Sequence, residues 1–399
     1  MYRQHFPLFT AQKDLVFLDS ASSAQKPEIV IQSMTDFFSH QYANIHRGAY
    51  DLSMESSLLY DRAKKAIKER LYADSESEIV FTYNATYACN LISRSLIKTG
   101  LLKKGDTILL SKLDHHANIV PWQIISEEYG INIDWIGLNP DGTLDYVNLE
   151  NKLKGVTLVS LTGASNVTGE VLDLEKLSSL LGQCEKRPLC VIDGSQRFPH
   201  METDVKKYGI DIFFATGHKV MSDTGIGFFY ARKDLLKMMI PALCGGGAIN
   251  AVTTRGYEPA GLPFRHEPGT PHIAGAVSLL AALNYIDSIG GFKAIESYEK
   301  DLTEYALSQF EGLPAGIHLL GSKSYHNRLG VFSFSFDTKH PHDVAEVLAD
   351  NGICVRSGHH CTEPFHEAMG IGASLRASLY IYNTRQDIDR FVEVLREQF

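Results

Sequence analysis

Asp211-Ile-Phe-Phe-Ala-Thr-Gly-His-Lys219, followed by Val220-Met-Ser-Asp-Thr-Gly-Ile-Gly-Phe-Phe-Tyr230, decides how the chain is organised. The apolar run from Ile210 to Ala215 ends in Thr-Gly-His-Lys. A short polar loop then leads to a second apolar run at Gly225-Ile-Gly-Phe-Phe-Tyr230. The pattern reads as strand, tight loop, strand, with a lysine held at the loop. Burial disfavours an ammonium, so a lysine pinned between glycines in apolar surroundings is a candidate for a lowered pKa and Schiff-base chemistry. A surface lysine on a hairpin has the same local pattern, and the flanking segments must decide between the two.

Outward from that stretch, short apolar runs alternate with helical periodicity. Thr107-Ile-Leu-Leu110 precedes Asp114-His-His-Ala-Asn118, Thr157-Leu-Val-Ser-Leu-Thr162 precedes Gly163-Ala-Ser-Asn166, and Pro188-Leu-Cys-Val-Ile-Asp193 precedes Gly194-Ser-Gln196. Alternation of this kind argues for an α/β fold with a mostly parallel sheet covered on both faces. In such sheets ligands bind outside the carboxyl ends of the strands, so the polar clusters should converge on one crevice. Further toward the amino terminus, Leu15-Val-Phe-Leu18 reads as a short strand and Pro27 to about His40 as a helix. Asn44-Ile-His-Arg-Gly48 is a basic loop, and an amphipathic helix follows through Leu71. After Gly245-Gly-Gly247 the pattern changes. An alanine-rich helix from Ala274 to about Ile289 reads as a domain connector, and Val331-Phe-Ser-Phe-Ser-Phe336 alternates as a half-buried strand does. The expected division is a large domain over 15–285 and a smaller α+β domain over 286–399, with 1–14 as an arm joined to the latter.

The bulk numbers exclude several classes. The chain has 399 residues, 44% apolar and 21% charged, an ordinary globular composition. Its 38 basic and 47 acidic residues leave a charge of −9 without a basic block, which argues against nucleic acid or an anionic membrane as main partner. The start lacks the apolar core of a signal peptide, and no apolar run is long enough to span a bilayer. Six scattered cysteines without a Cys-x-x-Cys pair indicate neither a disulfide framework nor a zinc knuckle. The expected setting is the cytoplasm.

Several residues carry chemistry. Asp193 ends a buried strand, where a carboxylate is costly unless it meets a cation or a protonated ring nitrogen; a helix cap is the plainer role. Thr86 opens a helix after a strand, a place that favours a phosphate, with a plain capping threonine as the alternative. His115, in the pair His115-His116 after a strand, can stack on a flat cofactor, with a purely structural histidine pair as the alternative. In Arg356-Ser-Gly-His-His-Cys-Thr-Glu-Pro-Phe365 the histidines, with His366, invite a metal reading, but adjacent residues do not easily share one ion. Cys361 reads better as a nucleophile on a mobile loop, with an inert loop cysteine as the alternative. Arg376 has the fork that suits a substrate carboxylate, or a structural ion pair.

Taken in order, Asn44-Ile-His-Arg-Gly48, His115-His-Ala-Asn-Ile-Val-Pro-Trp122, Ser165-Asn166, Asp193-Gly-Ser-Gln196, Thr216-Gly-His-Lys219 with Thr224-Gly-Ile-Gly227, Glu267-Pro-Gly-Thr-Pro271, Arg356-Ser-Gly-His-His-Cys361 and Arg376-Ala-Ser-Leu379 span nearly the whole chain. That set resembles the group II cysteine desulfurases, the branch overlapping selenocysteine lyases, among the class V aminotransferases of the fold-type-I pyridoxal phosphate enzymes. The resemblance implies a three-layer αβα large domain, pyridoxal 5'-phosphate as cofactor, and a homodimer. It implies that L-cysteine, or L-selenocysteine in the lyase alternative, is converted to alanine, with a persulfide on Cys361 passed to a sulfur-acceptor protein in iron–sulfur assembly or similar use. It gives Lys219 the cofactor attachment and proton shuttling, His115 the ring stack, Asp193 the ring nitrogen and Gln196 the phenolic oxygen. Thr86, Thr216 and His218 would bind the phosphate, with Thr270 reaching across from a second subunit. Asn166 and Arg376 would hold the substrate carboxylate, with Arg356, His46 and Arg47 also on the substrate side; no metal is implied. The chain departs from the family at Tyr83-Asn-Ala-Thr86-Tyr87, where Gly-Thr-Thr-Glu is usual, so one phosphate hydroxyl is missing at Ala85. Cys361 is followed by Thr-Glu-Pro instead of Ala-Gln-Pro. An aminotransferase or carbon–carbon lyase of the same fold, with Cys361 idle, and a non-catalytic scaffold with a relict site are the rival readings.

Overall fold

The structure, a computed structural model, describes residues 2–46 and 48–399. Arg47 therefore lies outside the described residues. The strands, in chain order, are β1 (Val16–Phe17), β2 (Ile79–Thr82), β3 (Thr107–Ser111), β4 (Asn132–Ile136), β5 (Leu158–Thr162), β6 (Leu189–Asp193), β7 (Ile212–Thr216) and β8 (Gly227–Ala231). They continue as β9 (Ile249–Thr253), β10 (Gly256–Pro259), β11 (Ile317–Leu320), β12 (Val331–Phe336), β13 (Ile353–Cys354), β14 (Arg356–Gly358) and β15 (Ser374–Ser378).

Seven of these form one sheet in the order β2-β8-β7-β6-β5-β3-β4. From β7 through β4 the pairs are parallel, while β8 runs antiparallel to both β7 and β2. The chemistry of the connections explains the exception. A parallel partner needs a crossover of a dozen or more residues, usually a helix, whereas only residues 217–226 separate β7 from β8. β5, β7 and β8 are buried along their whole length, as continuous apolar runs covered on both faces must be. One apolar cluster fills each face. Helices Asp51–Leu71 and Ile273–Ser288 close the first, and Ala85–Thr99 with Val120–Tyr129 closes the second.

The helix Ile273–Ser288 is buried on nearly every side, so it belongs to the core of the large layer and does not serve as the expected connector. That role falls to Gly291–Phe310. Its Phe292 and Ile295 pack in the first core, and its Leu302, Ala306 and Leu307 pack in the core of the second layer. Among the described residues no single helix is long and apolar enough to cross a membrane, and Ile273–Ser288 and Gly291–Phe310 meet at a 72° bend.

The second layer is a four-stranded sheet, β11-β12-β15-β14, antiparallel throughout and covered by Pro341–Asp350 and Arg385–Gln398. Two features differ from the sequence expectation. Strand β1 pairs with β13, and Val16 and Leu18 join the core of this second layer, although residues from 15 onward were expected in the large domain. Strand β12 is buried over Val331–Phe334 instead of half-exposed, because Ser333 has a partner across the layers: its Oγ donates to the Val167 carbonyl at 2.7 Å. The exposed hairpin β9–β10 has no counterpart in the sequence reading.

Glu267 fixes the loop that leads into Ile273–Ser288. Its Oε1 accepts from Lys64 Nζ at 2.6 Å and from the Phe81 amide at 2.7 Å, and its Oε2 from the Tyr60 hydroxyl at 2.9 Å. Both charged side chains are almost fully buried. Removing one partner leaves a buried charge uncompensated. Lys64→Met should therefore cost about 3 kcal/mol, read as a lowered denaturation midpoint. A double substitution that also removes Glu267 should cost less than the sum of the two single changes.

Candidate active site

The carboxyl ends of the parallel strands open into one cavity with about 700 Å³ of atom-free space. Asn84, Ala85 and Thr86 come from the start of the helix after β2, His115 from the loop after β3, and Thr162 and Asn166 from the end of β5. Asp193, Ser195 and Gln196 follow β6; Thr216, His218 and Lys219 follow β7. The opposite wall is built by Ala21 and Ser22 and, from the second layer, by Arg356, His360, Cys361 and Arg376. The amine and the thiol singled out in the sequence thus reach the same cavity from two layers.

Lys219 sits in the single turn Gly217–Lys219 that ends β7. Burial, only partly opposed by the Asp193 carboxylate, pulls its ammonium down to about 8. About a tenth of such amines are neutral at pH 7, far more than for a free lysine. The turn is clamped from outside: the His218 carbonyl accepts from the Ala24 amide at 3.1 Å and from Lys26 Nζ at 3.4 Å. His218 itself is pushed down to about 4, first by burial and then by the neighbouring lysine charges.

Asp193 is 3% exposed. Its Oδ1 accepts from the Ser195 amide at 2.9 Å, and burial holds its carboxyl above the usual range, with Lys219 pulling the other way. His115 accepts from the Ala117 amide through Nδ1 at 3.0 Å, which places the proton of the neutral ring on Nε2. Burial and the Lys219 charge push this ring down to about 3, so it is neutral at ordinary pH. Asn84 caps the helix Ala85–Thr99 by accepting from the Tyr87 amide at 2.8 Å, and the helix start with Thr86 faces the cavity.

This donor set fits pyridoxal 5'-phosphate. Asp193 is a buried carboxylate with a single amide donor, suited to a protonated ring nitrogen. The hydroxyls of Ser195 and Thr216 are buried without a hydrogen-bond partner among the described residues. A helix start stands ready for an anion. Gln196 spends its Nε2 on the Ala21 carbonyl at 2.7 Å, which fixes the amide at the wall.

Arg376 is 2% exposed, on the interior strand β15. Its Nη2 meets Asp19 Oδ1 at 3.0 Å and Ser22 Oγ at 2.7 Å, and its Nη1 donates to the Asn166 carbonyl at 3.1 Å. Arg356 lies opposite it in the β14–β15 register and donates to the same Ser22 Oγ at 2.8 Å. The loop bearing Cys361 is tied down, contrary to the expectation of a mobile one. The Cys361 carbonyl accepts from the His116 amide at 2.8 Å, and the His360 carbonyl accepts from Asn166 Nδ2 at 2.8 Å. His360 and Cys361 both take left-handed backbone angles, φ 52° and 58°. Such angles cost a non-glycine residue about 1–2 kcal/mol each and persist only where neighbours impose them.

The histidines near the thiol have protein partners. His360 Nε2 and His366 Nε2 lie 3.0 and 2.9 Å from Ser374 Oγ, and His359 Nε2 lies 2.7 Å from the Gly372 carbonyl. Of the residues named from the sequence, Thr86, His115, Asn166, Asp193, Gln196, Thr216, His218, Lys219, Arg356, Cys361 and Arg376 share the cavity. Two do not. His46 packs its ring against Phe264 at 4.7 Å, outside the cavity, and Thr270 is exposed away from it. His46 also meets the Tyr60 ring at 5.8 Å, and Tyr60 donates to Glu267 in the segment that carries Thr270. Asp19, Ser22 and Ser195 were missed. The polar cluster after the short strand β1 repeats the pattern seen after β3, β5 and β6, and was the available signal.

The class V aminotransferase family model matches residues 16–391. A cysteine desulfurase of Serratia proteamaculans is 37% identical, over 99% of this chain and 96% of that protein. One of Escherichia coli O8 is 38% identical, again over 99% and 96%. Among solved structures, the apo cysteine desulfurase of Thermococcus onnurineus superposes with a TM-score of 0.93 at 33% identity, covering 99% of this chain and 96% of that one. With that match running end to end, the chain belongs to the class V aminotransferase family and, within it, to the cysteine desulfurases.

Proposed function

We propose that the protein is a pyridoxal 5'-phosphate-dependent cysteine desulfurase. The observation that carries this reading is that Lys219 and Cys361, from different layers of the fold, line one cavity whose remaining wall residues suit an anionic, ring-bearing cofactor and an amino-acid carboxylate. When bound, the cofactor supplies an electron sink for bond cleavage next to the substrate amine. Lys219 would hold it covalently, and Asp193, Gln196 and His115 would hold its ring. Thr86, Thr216 and His218 would take its phosphate. The missing hydroxyl at Ala85 leaves the backbone amides of the helix start a larger share of that work.

In the chain's own chemistry, Arg376, Arg356 and Asn166 orient the carboxylate of L-cysteine, and the Lys219 amine moves the proton at the substrate's α-carbon. Cys361 Sγ attacks the substrate sulfur. An S–S bond forms as the C–S bond breaks, and the electron pair of the C–S bond stays with the β-carbon, which takes up a proton. L-alanine leaves, and a persulfide remains on Cys361 for transfer to an acceptor protein. The pinned backbone around Cys361 suits attack at one fixed place, with proximity supplying much of the rate.

Two further proposals accompany this one. Exposed Ile29, Ile31, Phe38, Met54 and Leu58 gather on the neighbouring helical segments 28–41 and 51–71, a surface suited to a second copy of the chain. Thr270, exposed outside its own cavity, would then serve the partner subunit. All six cysteines are free, in keeping with a cytoplasmic setting. Sedimentation should give a dimer that Leu58→Glu weakens; a monomer for the unaltered protein would sink this assembly.

Turnover tests the main reading. The protein loaded with pyridoxal phosphate should release equal amounts of alanine and sulfide from L-cysteine with a reductant present. Cys361→Ala should cut alanine release from cysteine by about 10²-fold or more, as loss of a covalent nucleophile does. If the variant keeps its turnover of L-selenocysteine, the selenium substrate does not need the thiol. A keto-acid product in place of alanine would overturn the desulfurase reading.

A further inference from the structure

Ser22 stands at the one point where the substrate-side charges meet. Its Oγ donates to Asp19 Oδ1 at 2.7 Å and accepts from Arg376 Nη2 at 2.7 Å and Arg356 Nη1 at 2.8 Å. A hydroxyl has one proton and two lone pairs, and here each has a partner. Asp19 claims the proton, so the lone pairs are turned toward the guanidiniums. Ser22 lines the cavity, whereas Asp19 stands behind it.

The two arginines are directly opposed across β14 and β15, an arrangement in which like charges repel. Arg376 is anchored on further sides by Asp19 and by the Asn166 carbonyl. For Arg356, which is exposed, Ser22 Oγ is the hydrogen-bond partner among the described residues. Without that oxygen a long, solvated side chain is free to leave the wall. With it, both guanidiniums converge on one atom at the edge of the space where a substrate carboxylate must lie.

We propose that Ser22, oriented by Asp19, is a positioning residue for the substrate carboxylate, fixing the spacing of Arg356 and Arg376 so that both forks face it. Its role is in recognition of the carboxylate and not in sulfur transfer, which lies with Lys219 and Cys361. The inference rests on the desulfurase reading.

Ser22→Ala and Ser22→Thr test it in the holoenzyme. Ser22→Ala should raise KM for L-cysteine about tenfold, the loss of a charge-assisted hydrogen-bond pair, with kcat changed by less than about twofold. The inhibition constant of 3-mercaptopropionate, which carries thiol and carboxylate but no amine, should rise by the same factor. Ser22→Thr keeps the hydroxyl and should restore both constants. An unchanged KM overturns the proposal, as does a loss in kcat that threonine does not restore, or an unaltered protein that 3-mercaptopropionate does not inhibit. If the unaltered protein itself releases no alanine from cysteine, the desulfurase reading is what has failed.

Discussion

Arg376 carries a positive charge into the seam between the two layers, with 2% of its surface exposed. Its partners come from two distant parts of the chain: Asp19 and Ser22 near the amino terminus and Asn166 after β5. A buried charge tolerates only the arrangement in which its partners are present, and removing one leaves a penalty of about 3–5 kcal/mol. That requirement selects the way the small sheet docks on the large one. Ser333, paired with Arg376 across β12 and β15 and donating to the Val167 carbonyl, reinforces the same docking. Cys361 reaches the mouth opposite Lys219 because the layers meet in this way and in no other.

Burial pushes Lys219, His218, His115 and Asp193 in the cavity toward their uncharged forms. Lys219 falls to about 8, His218 to about 4 and His115 to about 3, while Asp193 rises. Asp114, buried behind His115 and bonded to the Ser111 and Thr162 amides, rises to about 8. A cavity whose own charges are disfavoured gains most from ligands that bring the complementary charge: a protonated ring nitrogen for Asp193, a phosphate for the helix start, a carboxylate for the arginines. The same desolvation that makes these groups costly for folding therefore prepares them for chemistry.

Much of this was legible in the sequence because it depends on local pattern. A strand of continuous apolar residues ending in a polar cluster places that cluster at a sheet's carboxyl edge, and the sheet's parallel order then brings the clusters together. Lys219, Asp193, His115 and Asn166 follow from that rule alone, and the order of the motifs added their roles. What escaped depends on partners far away in the chain. Asp19 and Ser22 look like an ordinary turn until Arg376, some 357 positions on, supplies their meaning. Strand β1 reads as part of the large domain because nothing in Val16–Phe17 reveals that Ile353–Cys354 is its neighbour. Ser333 looks solvent-facing by alternation, since period-two patterning cannot distinguish water from a carbonyl of another layer. His46 sits in a motif of the family yet packs on Phe264 in this chain, so its position cannot be carried over to its own cavity.

The central claim is that an amine and a thiol from separate layers act on one substrate molecule. Mass spectrometry of peptides from protein exposed to L-cysteine, trapped with an alkylating reagent, addresses it directly. The account predicts one added sulfur atom on the peptide carrying Cys361, none on those carrying the other five cysteines, and none anywhere in Lys219→Ala. Sulfur on a different cysteine, or on Cys361 regardless of Lys219, would contradict it.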